Sequence, residues 1–308
     1  MLKNKIIKFL SDTIGKDIET KCTNNIINLV NPYLKTATGQ EVLNIIKIGD
    51  NPEVVKLKGI THEKFNLVLQ LVNSDIPVYL SGEAGTGKNV ICKQVAKALG
   101  LEFYFTNAVT QEYKLTGFID ASGRFHETQF YKAFKNGGLF FLDELDASIP
   151  EVLVILNAAI SNRYFDFPTG KVEAHKDFRL IAAGNTIGTG ADAVYTGRYC
   201  LDGASMDRFV IVPIPYSISI ESAITNKDED LINFCHAYRA VVTEANINSI
   251  FSYRGLTAIT KLKNSEMSLS EILKICLIKG MNKDDLNIIK NNIKCNSNNK
   301  YLIAFKEL

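Results

Sequence analysis

The residues Gly82-Glu83-Ala84-Gly85-Thr86-Gly87-Lys88-Asn89 have the spacing G-x-x-x-x-G-K. Glycines so placed let backbone N–H groups turn inward around phosphate oxygens, and a helix opening at the lysine adds the partial positive charge of its N-terminus. Lys88 is spaced to reach β- and γ-phosphates. The next residue in this pattern is ordinarily Ser or Thr, whose hydroxyl ligates Mg²⁺. Here it is Asn89, whose amide oxygen is a hard-cation ligand one atom further from the backbone.

Two further groups suit the same chemistry. The apolar run Leu139-Phe140-Phe141-Leu142 ends in Asp143-Glu144. At the tip of a buried strand, Asp143 would hold Mg²⁺ through water and Glu144 would polarise an attacking water. A third run, Phe178 to Ala183, ends in Gly184-Asn185-Thr186. Asn185 at that tip is placed to touch a γ-phosphate or the attacking water. The cofactors this pattern predicts are ATP and Mg²⁺, with Gly82 to Asn89 binding nucleotide and Asn89 and Asp143 serving the metal.

These residues need strands that end side by side. Short apolar runs occur at Ile76 to Leu80, Leu101 to Thr106, Gly138 to Leu142, Phe178 to Ala183 and Phe209 to Ile214. They are too short for buried helices and do not alternate, which predicts strands covered on both faces. Helical patterns separate several of them: Thr61 to Asn73 with Thr61 as N-cap, Asn89 to Leu99, and Pro150 to Asn162 with Ser148 and Glu151 as a capping box. Alternating strands and helices predict an α/β layer fold with a mainly parallel sheet. Two hairpins are expected, at Gly117 to His126 and Tyr164 to His175. Beyond about Ser217 the patterns are helical: Asp228 to Ala245, Tyr253 to Lys263, Ser268 to Lys279 and Lys283 to Ile293, with caps at Ser252, Ser268 and Asn282. Residues 1 to about 56 read as mainly helical and carry no motif. The resulting division is an N-terminal helical region (1–55), an α/β nucleotide-binding core (56–216) and a helical lid with the C-terminal region (217–308).

Bulk composition narrows the partners. The 308 residues carry a net charge of +2, from 35 basic against 33 acidic side chains. Such a balance gives no global drive toward nucleic acid or acidic membranes. The six cysteines form no CxxC pair and the four histidines show no metal-ligand spacing. No apolar run reaches membrane-spanning length, and the basic N-terminus reads as a short amphipathic helix, not a signal peptide. A cytoplasmic location is expected, with reduced thiols and no membrane partner.

The four segments GEAGTGKN, GGLFFLDELDASIPEVLVILNAAI, FRLIAAGNTIGTG and LDGASMDRF, in this order, resemble the AAA+ superfamily of P-loop ATPases. In detail they resemble its dynein-related or midasin-like branch, which includes MoxR-type ATPases and the small ATPase subunit of cobaltochelatase. The resemblance covers roughly Lys56 to Pro215. It implies a P-loop NTPase fold with a helical lid and an ATP hydrolase that works as a homo-oligomeric ring, a hexamer. It implies that Asn185 is sensor 1, that Arg208 is an arginine finger reaching a neighbouring subunit's ATP, and that Arg254 is sensor 2. By position, Asn107 would restrain Glu144. The first hairpin would project toward the pore, where Phe118 and Phe125 would either touch a partner or pack on their own domain. The reading placed first is a ring that remodels an unidentified protein partner. A nucleic-acid motor or loader ranks second, and a nucleotide-gated scaffold with little hydrolysis, suggested by Asn89, ranks third.

Overall fold

The five apolar runs become five strands of one parallel sheet. A computed structural model describes residues 43–46, 53–57, 59–191 and 194–308, which fall into two units, Met1–Ile60 and Thr61–Leu308. In the first unit, β1 (Leu43–Ile46) pairs antiparallel with β2 (Glu53–Lys56). The sequence reading expected helix there. The β-branched LNII and EVVK flank a Gly-Asp-Asn-Pro stretch, which is a hairpin signature and outweighs weak helical periodicity. The rest of that helical expectation lies outside the described residues.

The second unit opens with α1 (Phe65–Asn73), β3 (Val78–Ser81), α2 (Lys88–Ala98) and β4 (Phe103–Thr106). A short α3 (Tyr113–Thr116) leads into the hairpin β5 (Phe118–Ile119) and β6 (Phe125–His126), then α4 (Gln129–Asn136) and β7 (Gly138–Leu142). Next come α5 (Pro150–Asn162), the hairpin β8 (Tyr164–Phe167) and β9 (Gly170–Glu173), and β10 (Phe178–Gly184). After α6 (Gly203–Met206) and β11 (Val210–Pro213) the chain is helical: α7 (Ile218–Ile224), α8 (Glu229–Glu244), α9 (Tyr253–Leu262), α10 (Leu269–Leu273), α11 (Lys283–Asn292) and α12 (Lys300–Lys306).

The sheet order is β11-β3-β10-β7-β4, with every neighbouring pair parallel. The three inner strands β3, β7 and β10 are nearly wholly buried. The outer strands β4 and β11 keep exposed residues, among them Phe105, Val210 and Ile211. Coverage on both faces therefore holds for the inner strands only, because an edge strand has fewer neighbours to bury it. One apolar cluster joins the sheet to α4 and α5, around Phe130, Phe134, Phe140 and Phe178. A second holds the C-terminal helices together around Phe234, Tyr238, Tyr301 and Phe305.

Two expected caps are replaced. Helix α1 begins at Phe65 after Lys64, whose N–H donates to His62 Nδ1 at 3.0 Å, so Thr61 is not its cap. Helix α5 begins at Pro150 after Ile149 with no side-chain cap. Proline is favoured at the first helical position, which makes Ile149 and not Ser148 the N-cap residue, and Ser148 instead accepts the N–H of Val109 at 2.9 Å. The caps at Ser252, Ser268 and Asn282 form as expected, Ser268 with Glu271 as a full capping box. Among the described residues no helix is long and apolar enough to cross a membrane.

Candidate functional site

The carboxyl ends of β3, β7 and β10 carry the three motifs, and in this sheet order those ends adjoin one another. Open α/β sheets bind ligands at such ends. From Ser81 the chain enters the glycine loop and re-emerges as α2 at Lys88, with Gly87 in the left-handed region as its N-cap. Gly85 also has positive φ (79°), and a Cβ there would lie 2.6 Å from Ser252 Cβ. The loop is thus pressed against the first turn of α9. Two tyrosines hold its backbone: Tyr216 Oη donates to Ala84 O at 2.9 Å, and Ala84 N–H donates to Tyr195 Oη at 3.0 Å.

Lys88 is 8% exposed. Its ammonium donates to Gly82 O at 2.6 Å, Glu83 O at 3.1 Å and Asn185 Oδ1 at 3.0 Å. Burial pulls its pKa below the usual lysine value, while Asp143 opposes that shift. Among the described residues this buried cation, bonded to two loop carbonyls and one amide, has no counter-anion in contact, which suits it to take one from a ligand.

Asp143 follows the buried strand β7, and burial pushes its carboxyl pKa above the usual carboxylate value. Its Oδ1 accepts the Glu144 N–H at 3.0 Å. Asn89, second residue of α2 and half-buried, makes no side-chain hydrogen bond to another described residue. A desolvated carboxylate with unused lone pairs and an unbonded amide oxygen in the first turn of α2 fit the ligand chemistry of Mg²⁺. That ion keeps several waters and takes only one or two protein ligands beside phosphates.

Glu144 has φ of 54°, a conformation that non-glycine residues rarely adopt and that costs of order 1–3 kcal/mol. Its Oε1 accepts from Arg198 Nη2 at 3.3 Å. Asn107, expected to restrain Glu144, is exposed, and among the described residues the Glu144 carboxylate pairs with Arg198 instead.

Asn185 is positioned from below by Asp146. That carboxylate is fully buried, and its Oδ2 accepts from Asn185 N at 3.0 Å, Thr186 N at 2.9 Å and Thr186 Oγ1 at 3.0 Å. Gly184 has to be glycine, because a Cβ would collide with Tyr79 Oη and with Asp146 Cγ.

Lys88, Asp143, Glu144 and Asn185 thus come together at the strand ends. Neither of the two predicted arginines bonds to those four residues. Arg208 is exposed at the end of α6, with Nε bonded to Ser161 Oγ at 3.2 Å and Nη1 to Ala204 O. Arg254 is exposed in the first turn of α9, and its side chain bonds to no described residue. Of the two hairpin phenylalanines, Phe118 is 43% exposed and stacks on His126, while Phe125 packs inward on Tyr131.

Sequence reasoning missed Asp146, Arg198, Tyr195 and Tyr216. Asp146 had a signal, an acid three residues after Asp143 on the far side of the tight turn. The others had none, since their roles arise only where separate loops meet.

The fold and the four converging residues define a P-loop α/β domain. Residues 77–203 match the family model of the AAA domain (dynein-related subfamily). An uncharacterised protein of Staphylococcus haemolyticus is 28% identical over 165 residues, covering 49% of this chain and 60% of that protein. One of Staphylococcus epidermidis is 28% identical over 152 residues, covering 45% and 55%. The match therefore spans little more than half the length of these relatives. Among solved structures, NtrX from Brucella abortus in complex with ADP aligns with a TM-score of 0.44 and 14% identity, covering 82% of this chain and 58% of that one.

Proposed function

We propose that the protein binds ATP with Mg²⁺ and hydrolyses it as a homo-oligomeric ring, a hexamer, that remodels a protein partner in the cytoplasm. The observation that carries the hydrolytic part is the Lys88–Asn185 contact of 3.0 Å beside Asp143 and Glu144, at the mouth of the glycine loop. In this reading the loop amides cradle the phosphates, and Lys88 exchanges its loop carbonyls for β- and γ-phosphate oxygens. Asn185 aligns the γ-phosphoryl. Glu144 accepts a hydrogen bond from the attacking water and polarises it for in-line displacement of ADP. A magnesium ion held by Asp143 and Asn89 would neutralise charge on the transferred phosphoryl. Arg208, exposed on its own subunit, is available to a neighbour's γ-phosphate, and Arg254 to the phosphate of its own. The family likeness supports the ring, and the exposure of both arginines is compatible with it.

The test is a phosphate-release assay at high protein concentration with wild type, Lys88→Ala and Glu144→Gln. The expected pattern is hydrolysis by wild type only. Glu144→Gln should keep ATP affinity in a fluorescent-nucleotide titration, and Lys88→Ala should lose it by about 100-fold or more, since the cation worth several hydrogen bonds is gone. Wild type that binds ATP without releasing phosphate would favour the scaffold reading, for which Asn89 in place of a hydroxyl residue is the supporting observation.

A further inference from the structure

Arg198 lies outside every motif read from the sequence, yet its side chain is only 12% exposed and lies between two carboxylates of the site. Nη2 reaches Glu144 Oε1 at 3.3 Å and Nε lies 3.6 Å from Asp146 Oδ2. A fully buried carboxylate such as Asp146 needs a cation or a full set of donors. Three donors meet Oδ2, and Oδ1 has no hydrogen-bond partner.

The backbone next to Arg198 is tied to the same place. Tyr199 N–H donates to Asp146 O at 2.7 Å, and Leu201 N–H donates to Gly188 O at 2.9 Å. Cys200 forms a bridge with Thr189 and its Sγ meets Thr189 O. The guanidinium is therefore anchored at its root and at Nε, which leaves Nη2 to locate Glu144. Among the described residues no other side chain bonds to that carboxylate: the Glu144 side chain is 40% exposed, and Lys88 is engaged with the loop and Asn185.

We infer that Arg198 is a positioning residue for hydrolysis, joining the Glu144 carboxylate through Asp146 to the Asn185 segment as one rigid unit. Arg198 holds one Glu144 oxygen and leaves the other for the attacking water. Because Asp146 also receives the backbone N–H of Asn185, the water-polarising group and the phosphate-aligning group share one anchor. Misplacing a reacting group by about 1 Å costs on the order of 100-fold in rate. The inference rests on the ATPase reading and adds to it a residue that no motif specifies.

The experiment compares wild type with Arg198→Ala, Arg198→Gln and Arg198→Lys, the glutamine variant guarding against loss of folding around Asp146. For Ala and Gln the expected result is a kcat lowered by about 10- to 100-fold with KM for ATP within about threefold of wild type, the split that marks a group acting in the transition state. Arg198→Lys should recover part of the rate, because one ammonium reaches one carboxylate at a time. Methylguanidinium chloride should partly restore Arg198→Ala and leave wild type unchanged. A raised KM at constant kcat, an unchanged kcat or a faster variant would each overturn the inference. If wild type releases no phosphate, the ATPase reading fails on its own, and crystal structures of wild type and Arg198→Gln still decide the positioning role. Glu144 in several orientations in the variant supports it, and an unmoved, single orientation overturns it.

Discussion

Asp143 illustrates a conflict that single residues carry in this site. Burial holds its carboxyl pKa above the ordinary value, so the folded chain binds that proton more readily than the unfolded chain does. The sign follows by linkage. The buried carboxylate costs stability at neutral pH, and the cost is relieved as pH falls through the raised folded value. Asp143→Asn keeps an oxygen for the Glu144 N–H and removes the charge. It should raise Tm at pH 7 by about 2–4 °C, which corresponds to about 1 kcal/mol, and abolish Mg²⁺-dependent nucleotide binding. Calorimetry with and without MgATP checks both, and a lowered Tm at pH 7 would show that the charge is compensated. Asn89 poses the complementary question. As a Mg²⁺ ligand, its amide oxygen would have to absorb an extra atom of length at an ion that tolerates distortion poorly. Asn89→Thr should therefore lower the Mg²⁺ needed for half-maximal hydrolysis and raise turnover by about tenfold, equal to roughly 1.4 kcal/mol. Superimposable rate curves against Mg²⁺ would show a site adapted to its amide.

Among the elements, the start of α5 shows how a local signature is overruled by its neighbours. Ser148 and Glu151 have capping-box spacing, but the helix begins at Pro150 with Ile149 as its N-cap residue, and the serine hydroxyl instead accepts the N–H of the fully buried Val109. That bond fastens the segment after β4 to the turn that carries Glu144 and Asp146. Ser148→Ala should leave the Val109 N–H without a partner and cost about 1–3 kcal/mol. Glu151→Ala, on an exposed residue, should stay within about 0.5 kcal/mol of wild type. Urea melts of the two variants separate the alternatives, because a working capping box would make both substitutions costly. At this scale most elements were legible: the strands at β3, β7 and β10, the helices α2, α5, α8, α9 and α11, and both hairpins follow from patterns of apolar residues. The short α7 and the terminal α12 were not singled out. The buried Tyr301, Leu302 and Phe305 of α12 fill the second apolar cluster, but seven residues hold too few turns to stand out as a period.

In the whole molecule, the C-terminal helices close on the nucleotide loop. Tyr216 bonds Ala84 O, Arg239 stacks on the Tyr216 ring at 3.5 Å, and the fully buried Glu221 receives both Arg239 and His236. This chain of contacts gives the helical part a direct hold on the loop that would carry phosphate. In the proposed ring the same logic would extend between subunits. Arg208→Ala should bind ATP normally and lose hydrolysis by about 1,000-fold or more, the usual worth of an arginine supplied to a transferred phosphoryl. Mixed with Glu144→Gln subunits it should regain part of the activity, since one mixed interface then contains every group. Native mass spectrometry would confirm mixed rings, and mixed rings that stay inactive would show that Arg208 does not act between subunits. The glycine loop, the acidic strand end, the asparagine tip and the alternation of strands and helices were all determined by sequence alone. Each depends on residues within a few positions of one another, where backbone geometry and side-chain type act directly. Only the tertiary structure decided that Asp146 is a buried anchor, that Arg198 takes the partner expected of Asn107, and that Tyr195 and Tyr216 brace the loop. Those roles depend on loops distant in sequence meeting at the strand ends, and the free energy of a buried charge is set by what surrounds it in space.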